Sequence, residues 1–325
     1  MPGYSRRRRF AVAAAAAAML AFALEPALAF GDKGHEVIAL VARARLSARA
    51  VAEVDRLLQG DRDGLVMRDG GRTSDSFERQ ATWADYFRDA QRAPGVGAAN
   101  IHSSSWHFVD IDIRGGTLAR ACFGFPPLAP GTPASDGADP DCVVDKIEQF
   151  AAELGSPSTS DDEKRLALKY LLHLVGDVHQ PLHASDDGDR GGNRKHASVD
   201  GAAAVPLHRH WDVTFVECIA VGPGRPDPTA RQIAAALARA SAHEITEWQG
   251  RPDARRWAFE SFALSRRHVY GSLPAPRGAR GEGDVYALSP AYVEQATRET
   301  ARQLSKAGFR LAAILNQAFA AARPR

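Results

Sequence analysis

Leu171 to His183 reads LLHLVGDVHQPLH, three histidines and an aspartate inside an otherwise largely apolar stretch. A helix of this composition has to be buried, and burying ionisable groups without charge compensation costs several kcal/mol each. His173 and Asp177 stand four apart, so they share one helix face within reach of a single ion. Pro181 ends the helix and His183 follows at the turn. LHRHWD, Leu207 to Asp212, repeats the spacing in His208 and Asp212. One such pair alone reads as a hydrogen-bonded core histidine with its carboxylate. Two pairs plus His183 read as a cluster of divalent cations, whose charge supplies the compensation.

The N-terminus bears on the same question. Arg6 to Arg9 form a basic head, Ala11 to Leu24 an apolar run of 14, and Ala27-Leu28-Ala29 a small-x-small cleavage site. That run is too short to span a bilayer as a mature helix. Residues 1–29 are therefore expected to be a signal peptide, and residues 30–325 a secreted or periplasmic chain with Phe30 at its mature N-terminus. Losing four arginines and one glutamate leaves 37 basic and 38 acidic residues, a formal charge of −1. A polyanion would then be held by a local patch or by bound cations, because there is no global positive field.

Helical periodicity dominates the rest. Ser47 can cap ARAVAEVDRLL, and SFERQATWADYFRDA, VVDKIEQFAAEL, EKRLALKYLLHLVGDV, ARQIAAALARASAHEITEWQ, ARRWAFESFALSRRHVY and AYVEQATRETARQLSKAGFRLAAILNQAFAAA all read as amphipathic helices. Only SWHFVDIDI has strand character. Long loops are expected over 110–141, 185–205 and 271–289, where loops of that length usually carry function. The reading is an all-α fold, one mainly helical domain running from Phe30 to about residue 320. Three cysteines sit in a disulfide-permissive compartment. A Cys122–Cys142 pair would staple the Pro/Gly-rich loop between them and leave Cys218 over; the other pairings stay open.

Upstream candidates join the cluster. Asp85 lies in TWADYFRD and His107 in SSWHFVDI; either alone reads as a surface carboxylate or an aromatic-packed histidine. His35 follows Phe30 by five residues in FGDKGHE, and cleavage after Ala29 frees an amine that can chelate a metal together with its own carbonyl. His210 is two residues from His208 and faces elsewhere on a helix. His102, His196, His243 and His268 lack a carboxylate at ligand spacing, and His179 is ambiguous.

Taken in order, FGDKGH, WADYFR, WHFVD, LLHLVGDVHQPLH, GGNR and LHRHWD resemble the S1/P1 nuclease family of zinc-dependent single-strand nucleases, related in fold to zinc-dependent phospholipase C. The resemblance covers nearly all of the mature chain and implies the all-α phospholipase C/P1 nuclease type of fold. Carried over residue by residue, it implies three Zn²⁺ ions. One is held by Asp85, His107, His173 and Asp177, a second by His183, His208 and Asp212, and a third by the amine and carbonyl of Phe30 with His35 and a bridging Asp177. The chain departs from the family in carrying Phe rather than Trp at the mature N-terminus, and in its cysteine pattern, which leaves Cys122–Cys142 as the one staple.

Such a cluster concentrates positive charge for phosphate, lowers the pKa of a bridging water and stabilises the departing oxygen, so no side-chain nucleophile is required. Asp85 and Asp177 belong to that catalytic cluster, and Arg88, one turn after Asp85, is the expected extra cation on the transition state. The resemblance assigns Phe108 and Asp110 to the nucleobase, as stacking ring and hydrogen-bond acceptor. Asn193 is a partner for sugar, base or phosphate, or else a turn residue. The implied activity is hydrolysis of single-stranded DNA and RNA to 5′-phosphate products, with 3′-nucleotidase activity, by a monomer with no membrane anchor and no stable protein partner. A phospholipase C-like esterase and a non-catalytic periplasmic zinc-binding protein are the alternatives.

Overall fold

A computed structural model describes residues 30–91, 103–122, 128–137, 141–219, 227–237, 242–248, 250–276 and 285–320. The expected signal peptide and His102 fall outside the described residues, as does the His243 side chain. Thirteen helical segments are described: α1 (Gly31–Arg43), α2 (Ala48–Gln59), α3 (Phe77–Gln80), α4 (Trp83–Gln91), α5 (Leu118–Cys122), α6 (Val143–Gly155), α7 (Asp161–Asp177), α8 (Leu207–Arg209), α9 (Phe215–Glu217), α10 (Ala230–Leu237), α11 (Ala242–Trp248), α12 (Ala254–Leu264) and α13 (Pro290–Ala320). Single 3₁₀ turns at Ser104–His107 and Pro181–His183, and a π turn at His210–Thr214, carry histidines and an aspartate of the polar cluster.

Helix α7 is the axle of the fold. Ser160 caps it by accepting from Glu163 N, and Asp161, Asp162 and Glu163 place negative charge on its first turn, where the helix dipole favours it. From Ala167 to Asp177 every residue is buried, so packing on all sides outweighs the charged composition of its head. It is flanked by α6, α1, α2, α4 and α13. Gly176 permits the approach of α1, since a Cβ there would meet His35 Nδ1 at 2.8 Å and Ile38 Cδ1 at 3.0 Å. The main apolar core surrounds this packing. A smaller one is built from Leu182, Ala197, Trp211, Phe215, Val269 and the start of α13.

Three local expectations are corrected. SWHFVDIDI is not a strand. It forms the 3₁₀ turn Ser104–His107 and then an irregular extended run whose backbone bonds go to the 183–186 segment, Val109 N to His183 O and Asp186 N to Ile111 O. SFERQATWADYFRDA is two helices, because Ala81 O is drawn to His173 Nδ1 (2.7 Å) and Thr82 Oγ1 bonds Arg79 O. Within the 230–248 stretch α10 and α11 are described, and residues 238–241 between them lie outside the described residues. The loops at 185–205 and 271–289 supply a small sheet, β1 (His196–Val199), β2 (Val205–Pro206) and β3 (Val285–Leu288), in the order β2-β1-β3. β1 pairs antiparallel with β2 and parallel with β3. Ser47 caps α2 as expected, and among the described residues no helix is long and apolar enough to cross a membrane.

Candidate metal centre

Helix α7 carries His173 and Asp177 on one face, α4 brings Asp85, and the 3₁₀ turn before Phe108 brings His107; all four are buried. His107 Nδ1 lies 3.0 Å from Asp177 Oδ2 and 3.1 Å from His173 Nε2. His173 Nε2 is 3.2 Å from Asp177 Oδ2 and 3.4 Å from Asp85 Oδ1, and His107 Nδ1 is 3.5 Å from Asp85 Oδ1. Ligands about 2.0–2.1 Å from one zinc in a tetrahedron stand about 3.3–3.4 Å from each other. Five of the six pairs thus stand at 3.0–3.5 Å, near that spacing, and Asp85, His107 and His173 form one group of donors close enough to share an ion, with Asp177 beside it.

A second group is assembled from His183 on the turn after α7, His208 on α8 and Asp212 in the π turn. His183 Nε2 and His208 Nε2 are 3.1 Å apart, and His208 Nε2 is 3.2 Å from Asp212 Oδ2. A third group begins with His35, whose ring stacks on His173 at 3.8 Å between centroids and whose Nε2 faces Asp177 Oδ1 at 3.5 Å. Phe30, fully buried, heads the same helix, with its carbonyl accepting from Gly34 N. Asp177 thus turns Oδ2 to the first group and Oδ1 to His35, with His183 Nδ1 3.7 Å from Oδ1.

The chemistry of these donors asks for cations. His173 Nδ1 bonds Ala81 O, His183 Nδ1 bonds His107 O, and His208 Nδ1 bonds Gly191 O. Each carbonyl fixes a tautomer with the proton on Nδ1, leaving the lone pair of Nε2 aimed into the cluster. Asp177 Oδ1, Asp212 Oδ2 and both ring nitrogens of His35 are buried without a hydrogen-bond partner, and such orphans demand an explanation. The same appetite for positive charge shows in the titration behaviour. Burial opposes it, yet Asp177 and Asp85 drive His173 up to about 10; His35 goes the other way, pushed down to about 3 by burial and by His173, and so stays a neutral nitrogen donor. Against its own burial, Asp177 is held well below the carboxylate range by His173 and His107. A metal ion fits where the bare cluster would hold a stray proton.

The remaining site candidates surround the cluster. Arg88 is buried on α4, with Nη1 2.7 Å from Asp85 Oδ1 and Nε and Nη2 on Asp89. Phe108 is half-buried, held by Val143 N on its carbonyl and by the neighbouring Val109 N on His183 O. Asp110 is exposed as a residue, but its carboxyl is pushed up to about 6 by desolvation where it sits and by Asp186. Asn193 donates its amide to Arg190 O, a turn bond, next to the glycines that back His208. Arg190 is itself left-handed (φ 59°), as is Gly191, where a Cβ would meet Leu182 O at 2.5 Å. His210 bonds Ala197 O and Thr214, and His179 bonds Val175 O and Arg310, so neither joins the cluster. Cys122 and Cys142 form a disulfide, and Cys218 is free and half-buried. Sequence reading passed over Gln180 and the carbonyls of Ala81 and Gly191. A buried amide before proline in an apolar run was the available signal for Gln180; the carbonyls carry none.

A model of the S1/P1 nuclease family matches residues 30–320. Nuclease P1 of Penicillium citrinum is 25% identical over 300 residues, covering 89% of this chain and 97% of that protein. Nuclease PA3 of a Penicillium species is 24% identical over 298 residues, with 89% and 97% covered. Endonuclease 2 of Arabidopsis thaliana is 25% identical over 304 residues, with 89% and 90% covered.

Proposed function

The chain belongs to the S1/P1 nuclease family and is a phosphodiesterase-type endonuclease, and from that premise we propose an exported enzyme with three zinc ions that cuts single-stranded DNA and RNA to 5′-phosphate products and also removes 3′-phosphates from nucleotides. The observation that carries this reading is the convergence of buried donor atoms to within 3.0–3.2 Å of one another around Asp177, with the far nitrogens of three histidines tied to carbonyls. Asp85, His107, His173 and Asp177 hold the first ion; His183, His208 and Asp212 the second; His35, Asp177 and the backbone amine and carbonyl of Phe30 the third. Zinc bound there supplies concentrated positive charge against a phosphodiester and Lewis acidity toward water.

The protein side of the work derives from position. Asp177 presents one carboxylate oxygen to each of two groups and keeps them in register. Arg88 adds a fixed guanidinium charge behind Asp85, and at its pKa it stays charged throughout the working range. Phe108 offers a ring to a base, Asp110 a hydrogen-bond acceptor to amino or imino groups, and Asn193 an amide to sugar, base or phosphate. A base can reach that ring only out of its stack, which selects single strands over duplex. Residues 1–29 are removed on export and residues 30–325 act as one domain and as a monomer.

Phe108→Ala separates recognition from chemistry. The ring carries no donor atom for a metal, so zinc content should stay at the parent value. Stacking contributes about 1–3 kcal/mol per base, so affinity for single-stranded homopolymers should fall about 5- to 150-fold and base preference should flatten. Steady-state profiles on the four homopolymers, with zinc counted in each preparation, make the measurement. A variant that binds and discriminates bases like the parent would leave Phe108 as core packing.

A further inference from the structure

We propose that Gln180 is the positioning residue of the second ligand group, fixing the Asp212 carboxylate and the His183 turn with one buried amide. The inference rests on the zinc reading of the site. Gln180 is fully buried between the ligands Asp177 and His183. Its Oε1 accepts from Leu182 N at 2.6 Å, capping the 3₁₀ turn Pro181–His183, and its Nε2 donates to Asp212 Oδ1 at 2.6 Å. The orientation of the amide is set by its partners, since a backbone N–H can only donate and an ionised carboxylate can only accept. One oxygen of Asp212 is thereby engaged, and the other, Oδ2, is left facing His208 Nε2. A single side chain joins the turn bearing one ligand to the carboxylate of another.

The backbone around Gln180 is held by different groups. Ser261 Oγ donates to Val178 O, Gln303 Nε2 donates to His179 O, and the His179 ring is fixed between Val175 O and Arg310. These struts from α12 and α13 make the loop independent of the Gln180 amide. Loss of that amide therefore frees the orientation of Asp212 without dismantling the segment, and the first and third groups, which share no hydrogen bond with it among the described residues, keep their geometry.

The test is a zinc titration of chelator-stripped protein in competition with a chromophoric chelator. The parent should bind three ions. Gln180→Leu should bind two as the parent does and the remaining one about 10- to 100-fold more weakly, the usual effect of removing a partner behind a metal ligand. Ser261→Ala, which loosens the same loop without touching Asp212, should lower thermal stability and leave all three affinities unchanged. In an Asp212→Asn background Gln180→Leu should add less than about 2-fold, because the two act on one bond. Parent-like binding of all three ions by Gln180→Leu, equal weakening of all three, or full additivity with Asp212→Asn would overturn the positioning role alone. A stripped parent that takes up no zinc would instead overturn the metal reading on which it rests.

Discussion

Asp177→Asn is expected to lower turnover on single-stranded DNA by at least about three orders of magnitude, the largest effect of any ligand substitution. The reason is geometric. Asp177 Oδ2 stands among His107 and His173, and Oδ1 faces His35, so one carboxylate serves two donor groups. Asparagine keeps the shape but replaces one oxygen by an NH₂ that donates where a lone pair is needed, and it removes the negative charge shared by both groups. The change is nearly isosteric and α7 is packed on all sides, so the helix should persist. Zinc counted per chain should fall together with kcat, while the circular dichroism of the variant matches the parent. Retention of more than about a tenth of the parent turnover with full zinc would show that Asp177 does not bridge.

A smaller but still large loss is expected from a single extra residue left in front of Phe30. Phe30 is fully buried, and its backbone lies in the left-handed region (φ 39°), which costs a non-glycine residue energy when a preceding carbonyl is present. Cleavage after Ala29 would remove that carbonyl, and the strain with it, and free the amine one turn from His35. An uncleaved or extended chain would carry an amide nitrogen with no lone pair for a metal and would have to thread the added residue through a buried site. Such a protein should lose one zinc per chain and at least about 10- to 100-fold in activity. Phe30→Trp, with the amine free, should be mild because the ligation uses backbone atoms. Mass spectrometry of the N-terminus alongside zinc content and rate is the measurement, and an extended chain with full zinc and full rate would rule out an amine ligand.

The histidine–aspartate pairs were legible as neighbours because helical spacing alone places His173 beside Asp177 and His208 beside Asp212, and the structure brings them to 3.2 Å in both cases. That the second pair spans a π turn was not legible, since the period of the sequence is unchanged there. Asp85, His107 and His35 could be nominated only as part of an ordered set of motifs, because what unites them is tertiary approach, permitted at Gly176 and enforced by the Ala81 carbonyl on His173. The same bond breaks the helix that periodicity had run from Ser76 through Ala90. The small sheet escaped because strands of two to four residues carry no alternation, and β1 pairs with β3 across more than eighty residues. Arg88 was placed near the cluster by its spacing from Asp85, but its double engagement with Asp85 and Asp89 comes from packing. Gln180 stood inside the most informative stretch of the chain and gave no periodic signal, since its role depends on Asp212, thirty-two residues away.

Metal is the premise common to the catalytic, positioning and processing roles. Its most direct test is elemental analysis of the processed chain beginning at Phe30, joined to digestion of a single-stranded oligonucleotide before and after chelation and after zinc is restored. Three zinc ions per chain are expected, with cleavage to 5′-phosphate ends, loss of cleavage and of thermal stability in chelator, and recovery of both on adding zinc, because binding free energy is also folding free energy. A metal-free preparation that cuts the oligonucleotide at the full rate would contradict it.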